Sequence, residues 1–352
     1  MTESNAPPPP RLRATIITVA QAAEVSTATV SRALKGDPRI TPATRRKVLS
    51  IARSLGYTPN ALARTLQSGR SGLIGLVLGS VENPFYGMLL QEVVEQAAQQ
   101  GLRVLILHAG AGALEERTAE AILQYKLDGC LISSATLSST AAQLCAASGV
   151  PMVMLNRVAE HHALAVTCDN LAGGEYLADL LVRAGHRRFG VLTGPGESST
   201  ARDRERGFAL RLAEHGQGLS TRIVAGPGEP QVTTYAGGYE AGLALADLPA
   251  RERPDAVLAI SDIMAIGAID ALRERGLSVP GHLSVVGFDG IPEGARPPYG
   301  LTTIRQPVEA MVRRGLELLA SAATAGGAAT ILLPGEPVLR RSARLSSGPV
   351  SD

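Results

Sequence analysis

The stretch "STATVSRALKG", Ser26 to Gly36, carries two charges, Arg32 and Lys35, and almost no side chain large enough to build a core. Ser26 can cap a helix, and Thr27 to Leu34 then form a short one with Val30 and Leu34 facing inward. Gly36 and the following Asp-Pro stop it. Upstream, Val19, Ala20 and Ala23 share one helical face, and a turn falls at Glu24 and Val25. Downstream, "TPATRRKVLSIARSLG" opens with a capping Thr41 and a Pro42 suited to the first helical position. Val48, Ile51, Ala52 and Leu55 form its apolar stripe, and Gly56 ends it. Three short helices are therefore expected, with a tight turn between the first two.

Two short helices joined in this way form a helix-turn-helix, whose second helix docks in the DNA major groove. The outward positions of that helix are Thr27, Ala28, Thr29, Ser31 and Arg32. Short hydroxyls suit phosphates and base edges, a small Ala permits close approach, and Arg can bond guanine with two N–H groups. A small helical bundle with a Ser/Thr-rich surface is the alternative reading of the same residues. Charge leans toward DNA. Residues 1–71 hold 11 Lys/Arg and 3 Asp/Glu, whereas the rest of the chain is net acidic, within an overall balance of +2. A basic head on an acidic body suits a polyanionic partner, although a plain basic arm would show the same bias. "PPPP" at Pro7 to Pro10 reads as an extended leader. Ala61 to Gln67 is barely two turns, too short for a stable isolated helix; it is either a segment that orders only on binding or a plain interdomain linker.

The segment "ITVAQAAEVSTATVSRALKGDPRITPATRRKVLSIARSLGYTPNALARTLQSGRSGLIGLVL" resembles the N-terminal module of the LacI/GalR family of bacterial transcription regulators. The resemblance implies groove-reading roles for Thr27, Ala28 and Arg32. It implies phosphate contacts at Ser26, Thr29, Ser31, Thr41, Thr44, Tyr57 and Asn60, and a minor-groove leucine at Leu66. One position departs from common helix-turn-helix usage: Glu24 stands where the turn often has a left-handed Gly, at an expected cost of roughly 1–2 kcal/mol.

From Leu73 the chain alternates strand-like runs with helix-length segments. The runs are "LIGLVLG", "RVLILHA", "GCLISS", "PMVMLN", "ALAVTC", "RFGVLTG", "TRIVAG", "DAVLAIS" and "HLSVVGF". Helices are expected at 84–100, 113–125, 137–148, 170–185, 201–215, 235–247 and 262–275. Such alternation means parallel sheets covered on both faces, and "TCDN" near 168–170 divides the strands into two lobes. Ligands of such sheets bind beyond the carboxyl ends of the strands. Polar residues recur there: Asn83, Asn156, Arg157, the Ser198 to Arg204 segment, Ser261, Asp262 and Asp289, with Phe85 and Tyr86 as an aromatic face. Each has a structural reading too, since Asn83 and Asp262 can cap helices and Asp289 can shape the "FDG" turn.

The body is similar to the family's effector domain, shared with periplasmic sugar-binding proteins, through "NPFY", "VPMVMLNR", "GHRRFGVLTG", "STARDRERGF", "AISDIMAIGAI", "SVVGFDG" and "LTTIRQP" in order. The resemblance implies effector contacts at Phe85, Tyr86, Asn156, Arg157, Arg204, Thr233, Ser261 and Asp289, with Asn83 and Gln306 alongside. Sugar-binding relatives often carry Asp at the place of Asn156 and Asn at that of Ser261. Losing a carboxylate while keeping Arg157 and Arg204 tilts the site toward an anionic sugar derivative.

The fold expected is an all-α helix-turn-helix head plus a two-lobed α/β, periplasmic-binding-protein-like domain of type I. Expected divisions are a leader at 1–13, the head at 14–59, a hinge at 60–71, the effector and dimerisation domain at 72–345 and a tail at 346–352. Its first lobe takes about 72–169 plus 305–330 and its second about 170–302 plus 331–345. Expected partners are a pseudo-palindromic double-stranded DNA operator, a small effector such as a sugar, sugar acid or sugar phosphate, and a second copy of the chain. The ending "LRRSARLSSGPVSD" has no apolar heptads, so a homodimer without an added coiled coil is expected.

Enzyme motifs are missing: "GPGESS" and "GAGALE" fall short of a dinucleotide fingerprint, and there is no GxxxxGK[ST], GxSxG or HExxH. His108, His161 and His162 lack metal spacing, so no cofactor or metal is expected. Cys130, Cys145 and Cys168 form no CxxC pair and read as buried fillers in a reducing compartment. With no apolar leader and no run of about 20 apolar residues, a cytoplasmic protein, nucleoid-associated when bound to DNA, is expected. The alternative is a cytosolic sugar-binding protein or sugar-processing enzyme with an incidental basic head.

Overall fold

The computed structural model describes residues 14–57, 71–79, 81–109, 113–114, 120, 122–133, 136–137, 145, 147–158, 164–194, 198–225, 233–321 and 329–345. The chain divides into two compact units, Met1–Ser71 and Gly72–Asp352. The expected leader, the tail, Asn60, Leu66 and all of the expected hinge except Ser71 lie outside the described residues.

In the first unit α1 is Ile16–Ala23, α2 Thr27–Leu34 and α3 Pro42–Ser54. Each start is capped by a hydroxyl: Thr15 accepts from Thr18 N, Ser26 from Thr29 N and Thr41 from Thr44 N. The core holds only Val and Ala as fully buried side chains: Val19, Ala20, Ala23, Val30, Ala33, Val48 and Ala52. Leu34 is only half-buried. Leu55, expected in the stripe, is 43% exposed because the helix ends before it and Leu55 serves as the C-cap.

The second unit holds two six-stranded sheets. Its elements run β1 Leu73–Leu78, α4 Pro84–Gln99, β2 Arg103–His108, β3 Ala113–Leu114, β4 Gly129–Ser133, β5 Thr136–Leu137, β6 Met152–Leu155 and β7 Leu164–Cys168. They continue with α5 Asn170–Arg183, β8 Phe189–Thr193, α6 Ser199–Glu214, β9 Leu219–Val224, α7 Tyr235–Ala246, β10 Ala256–Ala259, α8 Asp262–Glu274 and β11 Ser284–Asp289. A 3₁₀ turn at Pro292–Ala295, β12 Thr302–Arg305, α9 Val308–Ser321, β13 Ala329–Leu333 and β14 Glu336–Val338 complete it.

The first sheet is ordered β13-β7-β6-β4-β1-β2 and the second β14-β12-β11-β10-β8-β9. Within these two sheets every pairing is parallel except β12 with β14, which is antiparallel. Successive residues of the inner strands bury on opposite faces. Leu76, Leu131 and Leu155 join α4 and α9, whereas Val77, Ile132 and Met154 join Ile122 and Cys145. Burial on both faces is why these strands read as continuous apolar runs.

The chain crosses between sheets three times, at Asp169, after Arg305, and between Leu333 and Glu336. Asp169 N–H donates to Leu333 O at 2.7 Å, tying two crossings together. The last crossing falls later than expected, because residues 331–333 pair with β7 in the first sheet. Besides the short β3 and β5 and the 3₁₀ turn, four elements had no counterpart among the expected ones: β12, α9, β13 and β14. Two of these strands, β12 and β14, are only 4 and 3 residues long, and β14 pairs with β12 only after the chain has visited the other sheet. The expected helices at 113–125 and 137–148 do not begin there, since Ala113–Leu114 pairs in parallel with Thr136–Leu137.

Candidate DNA-reading helix and effector cleft

The turn before α2 is built by Glu24 itself. It takes the left-handed conformation, φ 56° and ψ 43°, as the C-cap of α1, and its N–H closes onto Ala20 O and Gln21 O. Lys47 Nζ lies 3.4 Å from its carboxylate. On α2, Thr27, Ala28 and Arg32 are exposed, Thr29 and Ser31 half-buried, and Val30 and Ala33 anchor the inner face. Arg45 Nη2 donates to Gly36 O and Asp37 O at 2.9 and 2.7 Å, fastening the end of α2 to α3. The hydroxyls of Ser26 and Thr29 meet at 2.9 Å, as do those of Thr41 and Thr44. These four residues thus stand at two helix N-termini, where free N–H groups and the helix dipole favour anions. Tyr57 is half-buried against the head's core.

In the second unit five of the ten candidate effector residues form one hydrogen-bonded group. Arg204, 4% exposed, reaches Asp289 at 3.1 Å, Asn170 Oδ1 at 2.8 Å and Ile260 O at 2.6 Å, and its guanidinium lies 3.9 Å from the Phe288 ring centre. Gln306 Nε2 donates to Asp289 Oδ1 at 2.7 Å. Asn83 Nδ2 donates to Asp289 Oδ2 at 3.3 Å and Thr233 Oγ1 at 3.4 Å, bridging a residue of the first lobe to two of the second. Its own Oδ1 caps α4 through Phe85 N at 3.0 Å. Asn83 is therefore both cap and cleft residue.

Burial pushes the Asp289 carboxyl up, and Arg204, Gln306 and Asn83 pull the other way. Neighbouring Asp262 is fully buried and lies close enough to Asp289 for the two to interact. It accepts from Thr303 Oγ1 at 2.6 Å and from Gly290 and Ile291 N–H at 2.7 and 2.9 Å. Those donors favour the ion, but burial, reinforced by Asp289, pushes Asp262 up to about 7. Asp262 therefore clamps the turn after β11, and the cap of α8 is Ser261, whose Oγ faces Met264 N.

The other candidates differ in setting. Phe85 is 1% exposed and belongs to the core beneath α4, while half-buried Tyr86 stands edge-on to it at 5.5 Å. Asn156 takes φ 58° directly after β6. Val158 N–H donates to Ser199 Oγ at 3.2 Å, which holds the 156–158 segment against the start of α6. Asn156 Oδ1, Arg157 Nε and Gln306 Oε1 are buried and lack a hydrogen-bond partner. So is Ser133 Oγ at the end of β4, a residue the sequence reading passed over although it ends a strand as the others do. Asn170 was also missed: its amide N–H groups tie down the end of β7 through Thr167 Oγ1 and Cys168 O, which leaves its Oδ1 to accept from Arg204.

Cys130 and Cys168 are thiols, burial pushing each up to about 12. Among the described residues no group of three His, Cys, Asp or Glu could hold a metal, and no helix is long and apolar enough to cross a membrane.

A capped helix-turn-helix head followed by two parallel sheets with a polar cleft defines a ligand-responsive DNA-binding regulator. Comparison with known proteins agrees. Residues 15–60 match the model of the lacI family of bacterial regulatory proteins, and residues 178–343 that of a periplasmic binding protein-like domain. The transcriptional regulator DegA of Bacillus subtilis is 32% identical over 85% of this chain and 88% of its own length. The repressor CytR of Escherichia coli is 34% identical over 87% and 89%. The lac repressor dimer bound to operator and the anti-inducer ONPF superimposes with a TM-score of 0.81, at 26% identity, over 94% of this chain and 99% of that one. A complex of the regulator CelR with cellobiose matches at TM-score 0.64 and 27% identity, over 94% and 100%. The chain belongs to the LacI family: it is a DNA-binding transcriptional regulator and not an enzyme.

Proposed function

We propose that this chain is a homodimeric repressor that reads a pseudo-palindromic operator and is controlled by a small polar effector, a sugar, sugar acid or sugar phosphate, bound between its two lobes. The observation that carries the effector reading is that four buried polar atoms without a hydrogen-bond partner, Ser133 Oγ, Asn156 Oδ1, Arg157 Nε and Gln306 Oε1, all stand at or just after the ends of strands β4, β6 and β12. Leaving such groups unpaired is costly unless a ligand completes them.

Thr27, Ala28 and Arg32 read base edges, and Ser26, Thr29, Ser31, Thr41, Thr44, Tyr57 and Asn60 hold phosphates. The hinge segments of two copies meet over the operator's centre, where Leu66 from each opens a base step. Effector bound by Asn83, Phe85, Tyr86, Asn156, Arg157, Arg204, Thr233, Ser261, Asp289 and Gln306 changes the angle between the lobes. Operator and effector affinities are thereby coupled reciprocally. The protein acts in the cytoplasm, at the nucleoid while bound to DNA.

Selection from a random duplex pool tests the reading. One pseudo-palindromic motif should emerge, bound with affinity falling steeply as salt rises. Arg32→Ala should relax preference at one base pair per half-site and cost about 1–3 kcal/mol. A pool in which no duplex is held better than bulk DNA would overturn it.

A further inference from the structure

Arg157 and Arg204 look equivalent in the sequence, but the fold gives them different tasks. Arg204 is consumed by Asp289, Asn170, Ile260 O and the Phe288 ring, and its charge is cancelled inside the protein. Arg157 is 6% exposed, its Nε has no partner, and no carboxylate lies within ion-pair distance among the described residues. A guanidinium on so buried a side chain, with its Nε shut off and no counter-charge beside it, is costly. Among the described residues the other buried carboxylate, Asp262, is occupied by Thr303, Gly290 and Ile291.

The neighbourhood of Arg157 also favours negative charge. The next N–H, that of Val158, bonds Ser199 Oγ in the first turn of the 16-residue helix α6. Ser199 and Thr200 are 8% and 7% exposed, and Ser198 Oγ lies 2.8 Å from Thr200 Oγ1. Hydroxyls and the positive end of a helix dipole thus stand beside the arginine's segment.

The remaining unpartnered atoms ask for something else. Gln306 Nε2 is engaged by Asp289, which fixes the amide so that Oε1 is left as an acceptor. Asn156 Oδ1 is a second acceptor, and Ser133 Oγ can serve either way. Acceptors need ligand donors, and hydroxyl groups supply them.

Resting on the effector reading above, we infer that the effector is a polyhydroxylated small molecule carrying one oxyanion, a carboxylate or a phosphate. Arg157 and the first turn of α6 take the oxyanion, while Ser133, Asn156 and Gln306 take hydroxyls. Arg204 orients Asp289 and contributes no net charge.

Matched pairs of probes test this on the full chain by calorimetry and thermal shift: D-glucose against D-gluconate, D-glucuronate and glucose 6-phosphate, and D-ribose against ribose 5-phosphate. At least one anion should bind about tenfold or more tighter than its neutral parent, and the better series tells carboxylate from phosphate. Arg157→Gln should abolish that preference while the ligand-free variant melts no lower than the parent chain. A neutral sugar binding as tightly as its anions overturns the inference and leaves the effector reading standing. A lower melting point for ligand-free Arg157→Gln also overturns it, since the arginine would then be structural. If no probe of either kind binds, the effector reading itself falls.

Discussion

Glu24 holds a left-handed backbone that glycine would enter freely, and that conformation turns the chain from α1 into α2. For a residue with a Cβ the conformation costs roughly 1–2 kcal/mol. The Lys47 pair returns little, because both partners are largely exposed. Glu24→Gly should therefore stabilise the head by about 1 kcal/mol. Hydrogen exchange at the amides of α1 and α2 in the full chain should slow several-fold, and faster exchange would contradict this. Asp262 gives a second residue-scale expectation. Its folded-state pKa of about 7 lies above the ordinary 3.8, so the folded state holds a proton that the unfolded chain releases between those values. Stability from this group is full below pH 3.8 and is lost as pH rises through about 7. The stability difference between the parent chain and Asp262→Asn, from urea titrations, should shift against the parent across that window. A constant difference would show that Asp262 does not titrate there.

At the scale of elements, helix pairs position the cleft, and glycines set how closely they approach. A Cβ on Gly207 of α6 would run into the carbonyl of Leu171 on α5, and one on Gly174 into the carbonyl of Arg204. Backbone oxygens cannot rotate away as side chains can. Gly207→Ala should thus destabilise the second unit by about 1–3 kcal/mol, despite alanine's better helix propensity. It should also weaken effector binding, since Arg204 is one turn away on the same helix. A thermal-shift series on the full chain would check both, and an unchanged melting point would show that the helices separate without cost. The capped helices and long apolar strands were legible in the sequence because caps and periodicity are local signals. Strands β13 and β14 were not, because each pairs across two lobe crossings, β13 with β7 and β14 with β12.

At the scale of the second unit, the lobes are joined by three chain crossings and by side chains across the cleft. Ile263, Ile266 and Ile291 of the second lobe pack into the core cluster that holds Phe85 and Leu89 of the first. Asn83 adds a polar bridge to Asp289 and Thr233 while capping α4. Asn83→Ala should cost about 1 kcal/mol as a lost cap. If the bridge also restrains the lobes, hydrogen exchange will rise at 289–291 and near Thr233 as well as at the start of α4. A rise confined to α4 would reduce Asn83 to a cap.

The sequence by itself determined the class of this protein: the helix-turn-helix spacing, the capping hydroxyls and the ordered strand motifs are all readable locally. It also marked the strand-end polar residues as candidates. Only the tertiary structure separated Arg157 from Arg204, isolated Ser133, and made Asp262 a clamp and Asn83 a bridge. Charge and hydrogen-bond capacity depend on which distant residue closes the contact, as Asp289 does for Arg204 across 85 positions of chain. Those partners are chosen by strand order and burial, which no local pattern encodes.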